Sequence, residues 1–193
     1  MTMYAALLRG INVSGHQRVP MAELRALLTE LGHGDVRTHL QSGNAVFSSP
    51  SDDGERLAAE LERAIEERFG FAVPCLVRDG AYLAAVAAAC PFPADELEGR
   101  QLHVTYFGQP VDPARFEAID PAAFLPEEFR LGDRALYLYA PDGLGRSRLG
   151  EALSRPSRIR GLTATSRNWN TVVKLVEMTA AETDPPARRG AGT

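Results

Sequence analysis

The stretch Val36-Arg37-Thr38-His39-Leu40-Gln41-Ser42-Gly43-Asn44-Ala45-Val46-Phe47-Ser48 decides the fold. Val36 to Gln41 alternates apolar and polar sides, as a half-buried strand does. Ser42-Gly43 reads as a turn and Asn44 to Ser48 as a second strand, so the pair is a hairpin. Upstream, Met21, Leu24, Leu27, Leu28 and Leu31 recur at helical spacing, with Pro20 suited to the first turn and Gly32 or Gly34 to the stop. Tyr4 to Leu8, earlier still, is a short apolar strand. Downstream, Asp52 or Asp53 can cap a helix striped by Leu57, Leu61, Ala64, Ile65 and Phe69. Val73 to Val77 is the next strand, and Asp79 caps a helix to about Ala89.

The order is β-α-β-β-α-β plus a helix, and it recurs. Leu102 to Phe107 is a strand and Pro113 to Ile119 a short helix. Phe129 to Leu131 and Ala135 to Tyr139 flank a Gly132-Asp133 turn. Arg146 to Leu153 is a helix, Leu162 to Thr165 a strand, and Arg167 to about Ala180 the closing helix. No residues match between the halves, so the repeat is one of pattern. The expected fold class is α+β: two ferredoxin-like (βαββαβ) halves, 1–90 and 91–182, packed in one compact molecule. The boundary falls in the Pro- and acid-rich stretch from Cys90 to Arg100. The tail 183–193 lacks apolar residues and is expected to be disordered. A half of about 90 residues buries little surface alone, so the halves should pack together around a cleft.

Composition narrows the function. With 193 residues the chain is one domain or two small ones, and its net charge of −4 argues against a general polyanion binder. No apolar run approaches the ~18 residues of a membrane span. The start lacks the basic and long apolar regions of a signal peptide, so a cytoplasmic protein is expected. Cys75 and Cys90 are the only cysteines, which fits reduced thiols. His16, His33, His39 and His103 are scattered with no metal-ligand spacing, so no metal is expected. No Gly-x-Ser-x-Gly elbow is present, no cofactor is indicated, and the oligomeric state is not legible.

Three polar segments remain. The loop Arg9-Gly10-Ile11-Asn12-Val13-Ser14-Gly15-His16-Gln17-Arg18 leaves a strand for a helix, where backbone N–H groups favour anions. It lacks a Walker ending. Its structural reading is a chain turn made by Gly10 and Gly15. Gln41-Ser42-Gly43-Asn44 is a positive-φ turn whose amides could also meet a ligand at a sheet end. In Thr165-Ser166-Arg167-Asn168-Trp169-Asn170-Thr171-Val172-Val173-Lys174-Leu175, Thr165 or Ser166 can cap the helix. Trp169, Val172, Val173 and Val176 then share a core face, with Trp169 largely buried. Arg167, Asn170, Thr171 and Lys174 share a second face, which reads either as solvated surface or as a basic stripe suited to phosphate or carboxylate.

These three segments carry a resemblance. Leu-Leu-Arg-Gly-Ile-Asn-Val-x-Gly, Gln-Ser-Gly-Asn-x-Val-Phe and Thr-x-Arg-Asn-Trp-Asn-Thr-Val-x-Lys-Leu, in that order, resemble the bacterial family called "domain of unknown function 1697", from about Met3 to Ala180. The resemblance implies two ferredoxin-like plaits and supplies no reaction. Ser14 stands where the family usually has Gly, and His16 where Lys or Arg is usual. Polar motifs of this kind point to one composite site.

The expected function is binding of a small anionic ligand, phosphate- or carboxylate-bearing and possibly a nucleotide. Arg9, Asn12 and Arg18 would come from the first loop, Gln41, Ser42 and Asn44 from the hairpin, and Arg167, Asn168, Asn170 and Lys174 from the closing helix. Arginines would grip the anion and amides orient it. The first loop and the start of the closing helix should then lie side by side. One rival is a nucleic-acid-binding module, disfavoured by the charge and by the lack of ribonucleoprotein motifs. The other is an interaction protein whose motifs lock the two halves together.

Overall fold

Strand β1 (Thr2–Leu8) is buried on both faces, which explains its unbroken apolar run. Tyr4, Ala6 and Leu8 pack under helices α1 (Met21–Glu30) and α2 (Gly54–Phe69), against Leu24, Leu28, Leu57, Leu61 and Ile65. Ala5 and Leu7 point the other way, into a second cluster. The computed structural model describes residues 1–13 and 15–180. Ser14 and the tail 183–193 lie outside the described residues.

β1 is flanked by β3 (Asn44–Ser49) and β4 (Cys75–Asp79), and β2 (Gly34–His39) forms the edge, in the order β2-β3-β1-β4. All neighbours are antiparallel. Helix α3 (Gly80–Ala88) follows β4. Asp53 caps α2 by accepting from the backbone N–H of Glu55 and Arg56, both at 3.0 Å, and Asp79 caps α3 through Tyr82 N–H at 2.7 Å. β4 begins after Pro74, which has no N–H for the ladder, and runs two residues past the expected Val77. Arg78 therefore lies inside the sheet.

The second antiparallel sheet has the corresponding order β6-β7-β5-β8, from β5 (Leu102–Phe107), β6 (Glu128–Gly132), β7 (Ala135–Tyr139) and β8 (Ala164–Asn168). Its helical cover is thin. Where the first half has α1 and the 16-residue α2, this half has two four-residue 3-10 turns, Pro113–Phe116 and Pro121–Phe124, the six-residue α4 (Arg148–Leu153) and the four-residue α5 (Pro156–Ile159). Helix α6 (Trp169–Ala180) closes the described chain. The architecture is mixed α+β, with two four-stranded antiparallel sheets and six α-helices.

Between the sheets, Ala5, Leu7, Val46 and Leu76 meet Val104, Tyr106, Ala135 and Tyr137, joined by Leu83 of α3 and Val172 and Leu175 of α6. Tyr137 donates to Val86 O at 2.6 Å and so ties β7 to α3.

The end of the chain departs from expectation in three ways. The last strand extends through Asn168, because β5 pairs His103 with Asn168 and Val104 with Arg167. Asn168, not Thr165 or Ser166, caps the helix: its Oδ1 accepts from Thr171 N–H at 3.0 Å. Trp169 is half-buried at the edge of the central cluster, and Val173 is exposed. Apolar residues at 172, 173, 175 and 176 cover nearly half of the circumference of α6. Spacing alone could not choose among them, and packing against α3 chose Val172 and Leu175.

His103 on β5 is buried and its Nδ1 has no hydrogen-bond partner. Burial holds its imidazole below the ordinary histidine range, and burial does the same to His33 and His39. The unfolded chain therefore takes up protons that the native chain refuses. Stability present above about pH 6.5 falls as the pH drops through the ordinary histidine value. Urea midpoints at neutral and mildly acidic pH should show this loss, and His103→Leu should shrink it.

Candidate functional site

Arg167 lies where the two halves meet. Its position on β8 places the side chain on the face shared with Val104, between the sheets. It is only 8% exposed, yet among the described residues no carboxylate pairs with it. Nε donates to Asn44 Oδ1 at 2.6 Å. Nη1 donates to Thr165 Oγ1 at 2.7 Å and to Ser166 O at 2.9 Å. Nη2 donates to Leu8 O at 2.8 Å and Gly43 O at 3.3 Å. A guanidinium has five N–H donors, and here there are five acceptors. Desolvation pushes its pKa down to about 10, opposed by the nearby Tyr106, so it remains charged at neutral pH.

The end of β1, the hairpin turn and the last motif are thus adjacent, and the guanidinium is occupied by protein. Asn44, fully buried, also donates to His39 O at 2.9 Å and Ser42 Oγ at 3.1 Å. Asn12 folds the first loop: it donates to Val19 O at 3.0 Å and Gln41 O at 2.7 Å, and accepts from Val19 N–H at 3.0 Å. Its φ of 56° is a left-handed value that Asn tolerates. Asn168 caps α6. Gln41, Ser42, Arg18 and Asn170 are exposed, and Lys174 is exposed and paired with Glu177 at 3.1 Å. Arg167 therefore does not share a helical face with Asn170 and Lys174.

Arg78, which the sequence analysis passed over, is the counterpart of Arg167. It is 6% exposed, and its Nη2 donates to Phe107 O at 2.6 Å and Gly108 O at 3.1 Å, in the other half. Each arginine is the penultimate residue of a fourth strand, and each precedes an Asx that caps the next helix through the N–H three residues on. Arg78-Asp79 and Arg167-Asn168 are thus matching residues, where the sequence showed a repeat of pattern only. The match is visible only once β4 and β8 have their true ends.

A cavity of about 490 Å³ lies on the outer face of the second sheet. Thr105, Leu136 and Ser166 form one row of its floor, directly paired across β5, β7 and β8. Its rim carries Arg9 from the first loop, Arg146 from the 3-10 turn Leu144–Arg146, and Arg148 from the start of α4. Among the described residues these three arginines form no ion pair. Glu151 is the carboxylate in the lining. Ser166 Oγ is buried without a hydrogen-bond partner. Of the residues singled out by sequence, the cavity therefore collects Arg9, and with it Thr165 and Ser166. It adds Arg146 and Arg148, whose only sequence signal was a basic Gly-Arg-Ser-Arg run before an apolar helix.

A family model described as "Protein of unknown function (DUF1697)" matches residues 1–137, which include the first loop and the hairpin and stop short of the last motif. A search of curated proteins finds no match. Among solved structures, the chain is similar to the conserved bacterial protein SP0830 from Streptococcus pneumoniae, at 25% identity and a TM-score of 0.74, over 92% of this chain and 98% of that one.

Replacing Arg167 by Met leaves Asn44 Oδ1 and Leu8 O without their donor, so it should cost roughly 3–5 kcal/mol. Arg167→Lys should recover only part of that, because an ammonium lacks the planar fork. A denaturant titration of both variants checks this. Gly43 has φ +84°, and a Cβ there would lie 2.8 Å from Ile11 Cδ1 and Leu8 Cβ. Gly43→Ala should therefore destabilise by about 2–4 kcal/mol, read as a lower thermal midpoint.

Proposed function

The chain belongs to the DUF1697 family of proteins of unknown function, and from that premise we propose that it binds a small ligand bearing a phosphate or carboxylate at the cavity of the second half. The observation that carries this reading is the rim of three arginines, Arg9, Arg146 and Arg148, which form no ion pair among the described residues, around about 490 Å³ of space. Exposed cations converging on a concave site suit an anion.

Charge segregation supports the reading. Residues 1–22, 36–51 and 152–176 contain no Asp or Glu, although the whole chain carries a net charge of −4. The acid-free segments are the ones brought together around Arg167. In this proposal Asn12, Asn44, Arg167 and Asn168 hold the frame that places Arg9 and Ser166, while Arg18, Gln41, Ser42, Asn170 and Lys174 lie outside the lining of the cavity. Arg9 is held from behind, since its N–H donates to Pro74 O at 3.0 Å and Arg167 grips Leu8 O. A rim fixed in this way loses little freedom on binding.

We further take each half, 1–90 and 91–182, as ferredoxin-like, which the two corresponding strand orders support. A cytoplasmic location is consistent with the described residues, which include no helix long and apolar enough to cross a membrane.

The locking reading draws on Arg167 and Arg78, and it describes the frame. The nucleic-acid reading is opposed by the net charge.

The test is a thermal-shift panel of nucleotides, sugar phosphates and carboxylates. A ligand at 100 times its Kd adds about 2.7 kcal/mol, which should raise Tm by roughly 5–10 °C. The gain should vanish in an Arg9→Ala/Arg148→Ala variant. A panel without any shift sinks the proposal, and oligonucleotide binding that falls steeply with salt would replace it.

A further inference from the structure

The two halves differ most in what covers the outer faces of their sheets. In the first half, ten- and sixteen-residue helices bury that face completely. In the second half, six- and four-residue helices and short 3-10 turns bury Phe107, Leu136 and Leu138 but leave a cavity lined by them and by Thr105. The remaining wall is aliphatic and aromatic too, from Phe116 and Leu153. Side chains that a longer helix would supply are missing, and the gap is the cavity.

Resting on the anion-binding reading above, we infer that the ligand is an amphiphilic carboxylate: an apolar body that enters this apolar-lined cavity and a single carboxylate held at the rim by Arg9, Arg146 and Arg148. A base and ribose would need several hydrogen-bonding partners at depth. The hydroxyls of Ser147, Ser154 and Thr165 in the lining are already bonded within the protein, and an apolar body suits the aliphatic and aromatic remainder. The carboxylate meets three arginines against one acid, Glu151, so the local balance favours an anion. Arg148 lies with its Cζ 5.8 Å from the Phe124 ring, which steadies it without neutralising it.

Decanoate is the probe, with decanol, succinate and AMP as comparators, read by isothermal titration on the full chain. Decanoate should bind saturably with a negative heat-capacity change, the marker of apolar burial. Decanol and succinate should each bind at least about tenfold more weakly, one lacking the charge and the other the apolar body. Arg9→Ala/Arg148→Ala should cost decanoate about tenfold or more and leave decanol unchanged. Ala164→Leu, at the edge of the floor, should exclude decanoate while keeping a cooperative thermal transition; Leu138→Phe, which fills the same floor, serves if Ala164→Leu does not fold. Equal binding of decanol and decanoate in both backgrounds overturns the inference. AMP or succinate binding without decanoate overturns it too, and leaves the anion-binding proposal standing. If no probe binds, both fall.

Discussion

A cation buried among neutral oxygens holds this molecule together. Arg167 reaches from the second half into the first and gives all five of its donors to carbonyl, amide and hydroxyl acceptors. Burying an isolated guanidinium is costly, and the cost is offset only while every donor is satisfied. The geometry of those acceptors is therefore tightly constrained. Gly43 must be glycine so that the turn can pass over Ile11 and Leu8, and Asn44 must present its Oδ1 while its amide nitrogen ties back to His39 and Ser42. Arg78 makes the converse contact, from the first half to Phe107 O and Gly108 O. Two reciprocal arginines fix the halves in register more specifically than the apolar cluster between them, since apolar contact is non-directional.

With the halves fixed, their difference becomes functional. Two full helices close one sheet, and fragments of helix close the other. The same strand order thus yields a sealed core on one side and a lined cavity on the other. Glu127 shows how the thin cover is secured. Its carboxylate accepts from Ser147 Oγ at 2.5 Å and from Leu149 N–H at 2.9 Å, which anchors the short α4 at its first turn. Such a helix needs this anchoring, because six residues give little cooperative stability of their own.

Most of the framework was legible in the sequence because it rests on periodicity. The hairpin around Ser42-Gly43, the α2 stripe and its Asp53 cap, and the β5 run from Leu102 to Phe107 all follow from spacing and turn chemistry. The junction at 165–169 did not follow. Thr165, Ser166 and Asn168 are all able to cap, and the choice among them depends on how far β5 extends its ladder, which is a long-range contact. The roles within the three polar motifs were hidden for the same reason. Arg and Asn at the surface are read as ligand residues, and nothing local says that a neighbouring half will supply their partners. Arg78 was missed because its strand was ended early, and the cavity because a thin helical cover leaves only weak signals: a short apolar stripe and a basic Arg-Ser-Arg approach.

The last motif shows how a single strand serves both purposes. Successive residues of a strand face opposite sides. Arg167, paired with Val104, faces the interface and locks it, while Ser166, paired with Thr105, lies on the cavity side of the sheet. Frame and lining are therefore one residue apart in sequence and a sheet's thickness apart in space. A polar motif in such a strand cannot be assigned to structure or to ligand as a whole. Its side chains alternate between the two faces, and the lock made by Arg167 on one face sets the position of Ser166 on the other.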